Sequence, residues 1–219
     1  MKRILLAAGV ASAALVAAGL TAPAALASAP NATCTGALPP GTYQNVTVPA
    51  QTFCTIDGSD IITGDVTVAT GAALVDVGAP IGGNLQADHA QEVLAVGSSV
   101  GGNLQLTATS GKNGVCGVTV GNDLIVQDGA ASFIGGIGEP CPAGAEVGGN
   151  LTVQNNTGDV EVQTNTAAGN ISVHNNTGGG SLLGNSAGGS CQLFNDNPPI
   201  FGGLNSVPPG HQNTCNRFA

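Results

Sequence analysis

Along most of the chain a small apolar residue, one or two glycines and an Asn or Asp precede a short alternating apolar run, and the unit recurs. The polar marker falls at Asp65, Asn84, Asn103, Asp123, Asn150, Asn170 and, degenerately, Ser190, in steps of 19, 19, 20, 27, 20 and 20 residues. The long step contains Gly138-Glu139-Pro140-Cys141-Pro142-Ala143-Gly144, where two prolines and flanking glycines interrupt strand structure. One and three residues past each marker stand apolar pairs such as Leu85 and Ala87, Leu104 and Leu106, or Leu151 and Val153, which is strand alternation. A second pair follows ten and twelve residues past the marker: Val75 and Val77, Leu94 and Val96, Phe133 with Gly135, and Val160 and Val162. A third apolar position lies three residues before it, at Ile62, Ile81, Val100, Val120, Val147, Ala167 and Ala187. Each unit therefore sends side chains inward from three places.

A hairpin meander would not repeat at this period, whereas stacked identical coils place like residues above like in parallel sheets. The pattern predicts an all-β, single-domain parallel β-helix, or β-solenoid, of about seven 19–20-residue coils. Asn155, Asn175 and Asn195 share one offset and Asn165, Asn185 and Asn205 another, which predicts two asparagine ladders. The markers Asp65, Asn84, Asn103, Asp123, Asn150 and Asn170 read as coil corners. Repetition in every unit argues against a phosphate-binding loop at the Gly-Gly-Asn segments.

Lys2 and Arg3 precede an apolar run from Ile4 to Leu20 and then small residues, the pattern of an export signal ending at Ala27. The run is at the short edge of a transmembrane span, and no later run is long enough to be one. The expected organisation is a signal peptide over 1–27, an N-terminal cap over 28–60, coils over 61–207 and a C-terminal cap over 208–219. The product is expected to be secreted, extracellular and without a transmembrane segment.

Six cysteines in an exported chain, with no Cys-x-x-Cys pair, read as disulfides. Cys34 and Cys54 bracket the first strand region, Cys191 and Cys215 bracket the last coil, and Cys116 and Cys141 lie in loops of successive coils, so these are the expected pairs. The first and last pairs would staple the ends, where open strand edges otherwise invite stacking between chains, and the capped rod is expected to be a monomer.

Without Lys2 and Arg3 the chain has two cations, Lys112 and Arg217, against thirteen carboxylates, a net charge of −11. Nucleic acid is excluded as a partner by that balance.

Candidate chemistry is sparse. Asp159 and Glu161 point outward from one strand about 7 Å apart, within the range of a glycosidase pair. However, Gly179 and Ser181 follow at the same offsets and no aromatic platform is expected. His89, His174 and His211 occupy unrelated offsets and are expected to be exposed, with no metal site. Asp57, Asp60 and Asp65 admit a calcium reading but fit turns and corners better. No cofactor is expected.

The Val147–Leu151 run (Val-Gly-Gly-Asn-Leu), the Gly41–Cys54 segment with Gly-Thr-Tyr and Val-Pro-Ala, and the Cys191–Cys215 end together resemble small secreted actinobacterial repeat proteins. The resemblance spans nearly the whole mature chain and implies the fold and the compartment, but no activity. More distantly the coils resemble those of bactofilins and pectate lyases in architecture. The functional expectation is a non-enzymatic structural or binding protein that displays the polar row Thr67, Gln86, Gln105, Thr152, Ser172 and Gln192 to a cell-wall, glycan or protein ligand. The alternative is a polysaccharide-active enzyme using Asp159 and Glu161.

Overall fold

In the computed structural model, which describes residues 29–136, 141 and 143–217, the chain winds as a parallel β-solenoid of about eight turns with three faces. Sheet A holds nine strands, from Ala32–Thr33 to Cys191–Phe194. Sheet B holds nine, from Gly36–Ala37 to Phe201–Gly203, and sheet C holds eight, from Gly41–Tyr43 to Ser186–Ala187. These counts refer to the described residues, among which there is no helix. The proposed signal peptide lies outside them.

The solenoid begins earlier than the periodicity suggests. Ala32 pairs with Val46, Cys34 with neighbours one turn on, and Val46 with Val66, so the described part of the segment 28–60 expected as a cap is itself wound into coils. Its sequence lacks the Gly-Gly marker, and that concealed the winding.

Inside the rod the three inward positions stack in columns. Val66, Leu85, Leu104, Leu124, Leu151 and Ile171 form one, and Ile62, Ile81, Val100, Val120 and Val147 another, all essentially without solvent contact. Burying each such side chain contributes about 1.5–3 kcal/mol, and no coil can bury its own without neighbours.

Sheet B departs from the expected phase in its early coils. The inward residues there are Leu74 and Asp76, then Val93 and Ala95, then Ser132 and Ile134, while Val75, Val77, Leu94, Val96 and Phe133 face outward. Later, Val160 and Val162 do point inward. The corner between sheets A and B is one residue shorter in the coils of Leu74, Val93 and Ser132 than in that of Val160. A one-residue slip exchanges the two faces of a strand.

The Gly-Gly corners are explained by close stacking of backbone on backbone. A Cβ on Gly101 would collide with the Gly82 carbonyl, and one on Gly102 with the Asn84 side chain. Neither glycine needs a left-handed backbone; the space is simply taken. Above each pair the marker side chains form a continuous ladder. Asp65 Oδ1 accepts from the backbone N–H and the amide of Asn84, at 2.7 and 3.0 Å, and Asn84 Oδ1 accepts from Asn103 N–H at 2.8 Å. The same contacts continue through Asp123, Asn150 and Asn170 to Ser190.

Asn165, Asn185 and Asn205 form a buried ladder, with amide-to-carbonyl contacts of 3.0 and 2.9 Å, that ends on Asn216. Asn155, Asn175 and Asn195 do not. They take left-handed backbone at φ of 56–58°, and among the described residues no side-chain hydrogen bond joins one to the next. The stacked side chains are one residue further on, Asn156, Asn176 and Asp196, at 3.0 and 2.9 Å. In each Asn-Asn pair the first residue turns the corner and the second faces in.

The disulfides join Cys34 to Cys54, Cys116 to Cys141 and Cys191 to Cys215, and the first and last lie near the ends. At the C-terminal end the tail pairs with the last coil: Cys191 N–H donates to Gln212, and Gly202 N–H donates to Arg217, at 2.9 and 3.0 Å.

Two outcomes follow from this packing. Gly102→Ala should lower stability by about 1–3 kcal/mol, whereas Gly97→Asn, at φ +64° with open space around it, should be near neutral; urea midpoints measure both. Replacing Cys191 and Cys215 by Ser should cost about 2–5 kcal/mol and release the tail, exposing strand edges that aggregate. Loss of the Cys116–Cys141 pair should destabilise without aggregation. Concentration-dependent light scattering of the two double variants at equal unfolded fraction separates them, and equal scattering would remove the capping role.

Candidate functional site

The outer face of sheet A carries a row of polar side chains, one per coil. Thr47, Thr67, Gln86 and Gln105 are register partners in turn, then Ile125 interrupts, and Thr152, Ser172 and Gln192 continue. Gln192 reaches Gln212 of the tail at 3.3 Å. Parallel pairing sets the repeat at about 4.8 Å. Between this row and the marker ladder runs a groove of about 390 Å³, lined by Asp123, Ile125, Asn150, Thr152, Asn170, Ser172, Ser190 and Gln192.

A second outward row lies beside the first. Gln154 donates to Gln127 at 3.0 Å, and His174 stacks on Phe194 with ring centroids 4.7 Å apart and planes within 4°. Both rings are half-buried, which corrects the expectation that His174 is exposed. Burial lowers its pKa, an effect partly offset by the Asp196 carboxylate, and Ser172 Oγ lies 3.1 Å from Nδ1. The rings stack along the rod, so they meet a ligand on the sheet edge-on. His89 is exposed and pairs with Asp88 at 2.8 Å, and His211 is exposed.

On sheet B, Asp159 is exposed and Glu161 half-buried, both on the outer side. Glu161 stands between Phe133 and Ser181 in register. An aromatic neighbour is therefore present, contrary to expectation, but its ring leans away. A Cβ on Gly114 would overlap the Phe133 ring and Leu94, so Phe133 covers the glycine of the preceding coil. Lys112 Nζ sits 5.1 Å from that ring's centroid, a cation–π contact.

Sheet C presents Ile61, Pro80, Ser99 and Thr119 over a shallow groove of about 540 Å³ floored by Gly82, Gly101 and Gly121.

Asp57, Asp60 and Asp65 are not brought together. Asp57 is exposed and accepts from Ser59 N–H and Oγ, which hold its pKa low. Asp65 starts the regular ladder, and Asp60 is buried. Among the described residues no three His, Cys, Asp or Glu side chains converge on a metal position.

Two buried carboxylates were not legible as such. Asp76 is fully enclosed, and burial pushes its pKa up to about 7 against the hydrogen bonds from Ser98 and Ala79 N–H, with the nearby Asp60 charge adding to the rise. Burial also raises Asp60, although Asp57 N–H opposes this at 3.0 Å. Among the described residues, Asp60 Oδ1 and Asp76 Oδ2 have no hydrogen-bond partner. The apolar run Ala73–Val77 hides the position, because an Asp within it reads as outward.

No family model, no curated protein and no solved structure matches this chain. The class rests on its geometry: a parallel β-solenoid, disulfide-bonded near both ends. Among the described residues no helix is long and apolar enough to cross a membrane.

The Asp76 carboxyl binds its proton more tightly in the folded state than unfolded. Stability is therefore fullest below about pH 4, falls as pH rises toward 7, and levels off above it. The span is on the order of 4 kcal/mol, with Asp60 contributing in the same direction. Asp76→Asn should match the natural protein near pH 4 and exceed it at pH 8, as read from urea midpoints; an unchanged pH slope would show that Asp76 is not the titrating group.

Proposed function

We propose that the protein is a secreted, non-enzymatic rod whose sheet A face binds an extended glycan of the cell envelope. The row from Thr47 to Gln192 carries this reading, because it places a hydroxyl or amide at each coil but one, at a single spacing and beside a groove. Hydroxyls and amides both donate and accept, which suits a neutral polyhydroxyl chain with its own short repeat. The net charge disfavours an anionic polymer.

Three disulfides and no free cysteine fit an oxidising compartment outside the cell. The likeness to secreted actinobacterial Val-Gly-Gly-Asn-Leu proteins agrees with that setting.

The second reading is a polysaccharide-active enzyme at Asp159 and Glu161, favoured only by the neighbouring Phe133.

Co-sedimentation with insoluble cell-wall polysaccharides tests both. The triple variant Thr152→Ala, Ser172→Ala and Gln192→Ala should bind at least about 10-fold more weakly. Retention equal to the natural protein would overturn the sheet A site. Release of soluble sugar that disappears in Asp159→Asn with Glu161→Gln would install the enzyme instead.

A further inference from the structure

The outer face of sheet B carries a run of apolar side chains in register. Val75, Leu94 and the Phe133 ring over Gly114 make one apolar stripe across four coils, and Val77 and Val96 widen it on one side. Val77 is 49% exposed and adds to this apolar surface. On the other side of the stripe Glu92 and Lys112 are exposed neighbours in adjacent coils. No ion pair joins them among the described residues; the ammonium lies over Phe133 instead.

We infer that this face is the interface of a two-fold dimer, with a second copy of the chain as its occupant. Charge arrangement selects the pairing. Consider a two-fold axis in the interface, perpendicular to the rod and midway between the strands Glu92–Val96 and Lys112–Cys116. It sets each strand position of one coil against the same position of the other coil. Glu92 of one copy then faces Lys112 of the second, and by symmetry the reverse, so one charged pair becomes two intermolecular ones. Val75 meets Phe133, and Leu94 meets the ring where it covers Gly114. An axis along the rod would instead set Glu92 against the Val96 edge of its own coil, leaving both charges unmatched in an apolar contact.

Lys112 is the one cation in the coils, since Lys2 and Arg3 lie near the N-terminus and Arg217 in the tail. Two copies of so acidic a chain repel at long range, so association needs a place where opposite charges meet. The sheet B stripe supplies it. The terminal covers that suggest a monomer close the ends of the rod and leave its sides open. In the dimer both sheet A faces remain accessible and run in opposite directions.

Analytical ultracentrifugation of the intact secreted chain tests this. The natural protein should sediment as a dimer at micromolar concentration or above. Glu92→Lys and Lys112→Glu should each weaken association at least about 10-fold, and the double swap should restore it to within about threefold. Both positions are exposed, and circular dichroism of each variant checks the fold. A natural protein that stays monomeric to about 1 mM, a double swap that fails to restore association, or oligomers indifferent to either reversal would overturn the assignment.

Discussion

Everything in this molecule depends on how closely one coil must approach the next. Parallel strands hydrogen-bond at about 4.8 Å, and a chain that repeats this contact through eight turns cannot vary it locally. On the faces the constraint is benign, because side chains point away from the stacking direction and like residues sit above like. At the corners it is severe. There the backbone of Gly101 runs against that of Gly82, and Gly121 against Gly101, leaving no volume for a Cβ. The Gly-Gly of the repeat is the consequence. The following Asn solves the accompanying polar problem, since its Oδ1 accepts the N–H that the corner turns away from the sheets.

The ladders are also directional. In the marker column each coil donates its N–H back to the preceding coil's side chain, as Asn103 does to Asn84. In the column of Asn165, Asn185 and Asn205 each coil donates forward, as Asn165 does to Asn185. The two columns therefore stack their amides in opposite senses on different corners, and the column of Asn156, Asn176 and Asp196 runs forward as well. The column of Asn205 finishes on Asn216 of the tail and the backward one begins at Asn31 and Asn45. These two ladders thus terminate on residues in the end segments, so the covers satisfy hydrogen bonds as well as shielding apolar columns.

Sheets A and C were legible in the sequence because both lie next to the Gly-Gly-Asn corner, which fixes their phase. From that anchor Leu85 and Ile81 can only point inward. Sheet B is reached through a corner of variable length, and its early strands, Ala73–Val77 and Glu92–Val96, are apolar at nearly every position. Alternation cannot be read from a run that does not alternate, and a one-residue difference then inverted the assignment. The shift from Asn155 to Asn156 has the same character, because equal offsets reveal a column without saying which of two adjacent asparagines occupies it. Of the candidate sites, the polar row was readable from offsets alone. The groove beside it, the Phe133 ring over Gly114 and the buried Asp76 depend on geometry that offsets do not contain.

The inversion on sheet B is itself informative. In the coil of Leu74 a carboxylic acid occupies the core, and two valines occupy the surface, in a strand where exchanging the phases would bury both valines, hydrate the acid and expose Leu74 in return. Burying valine rather than aspartate favours that exchange by several kcal/mol on transfer grounds. The neighbouring coils hold the strand in register through Ile56, Ala95 and the corner Ala72, so the local loss persists. Natural sequences break local rules of this kind mainly where a surface is used. Here the broken rule falls on one face, beside the sole cation of the coils, while sheet A keeps a polar row that only Ile125 interrupts. On the reading proposed above, with one polar and one apolar working face, that local loss has a use: it places Val75 and Val77 on the surface where a second copy would meet them.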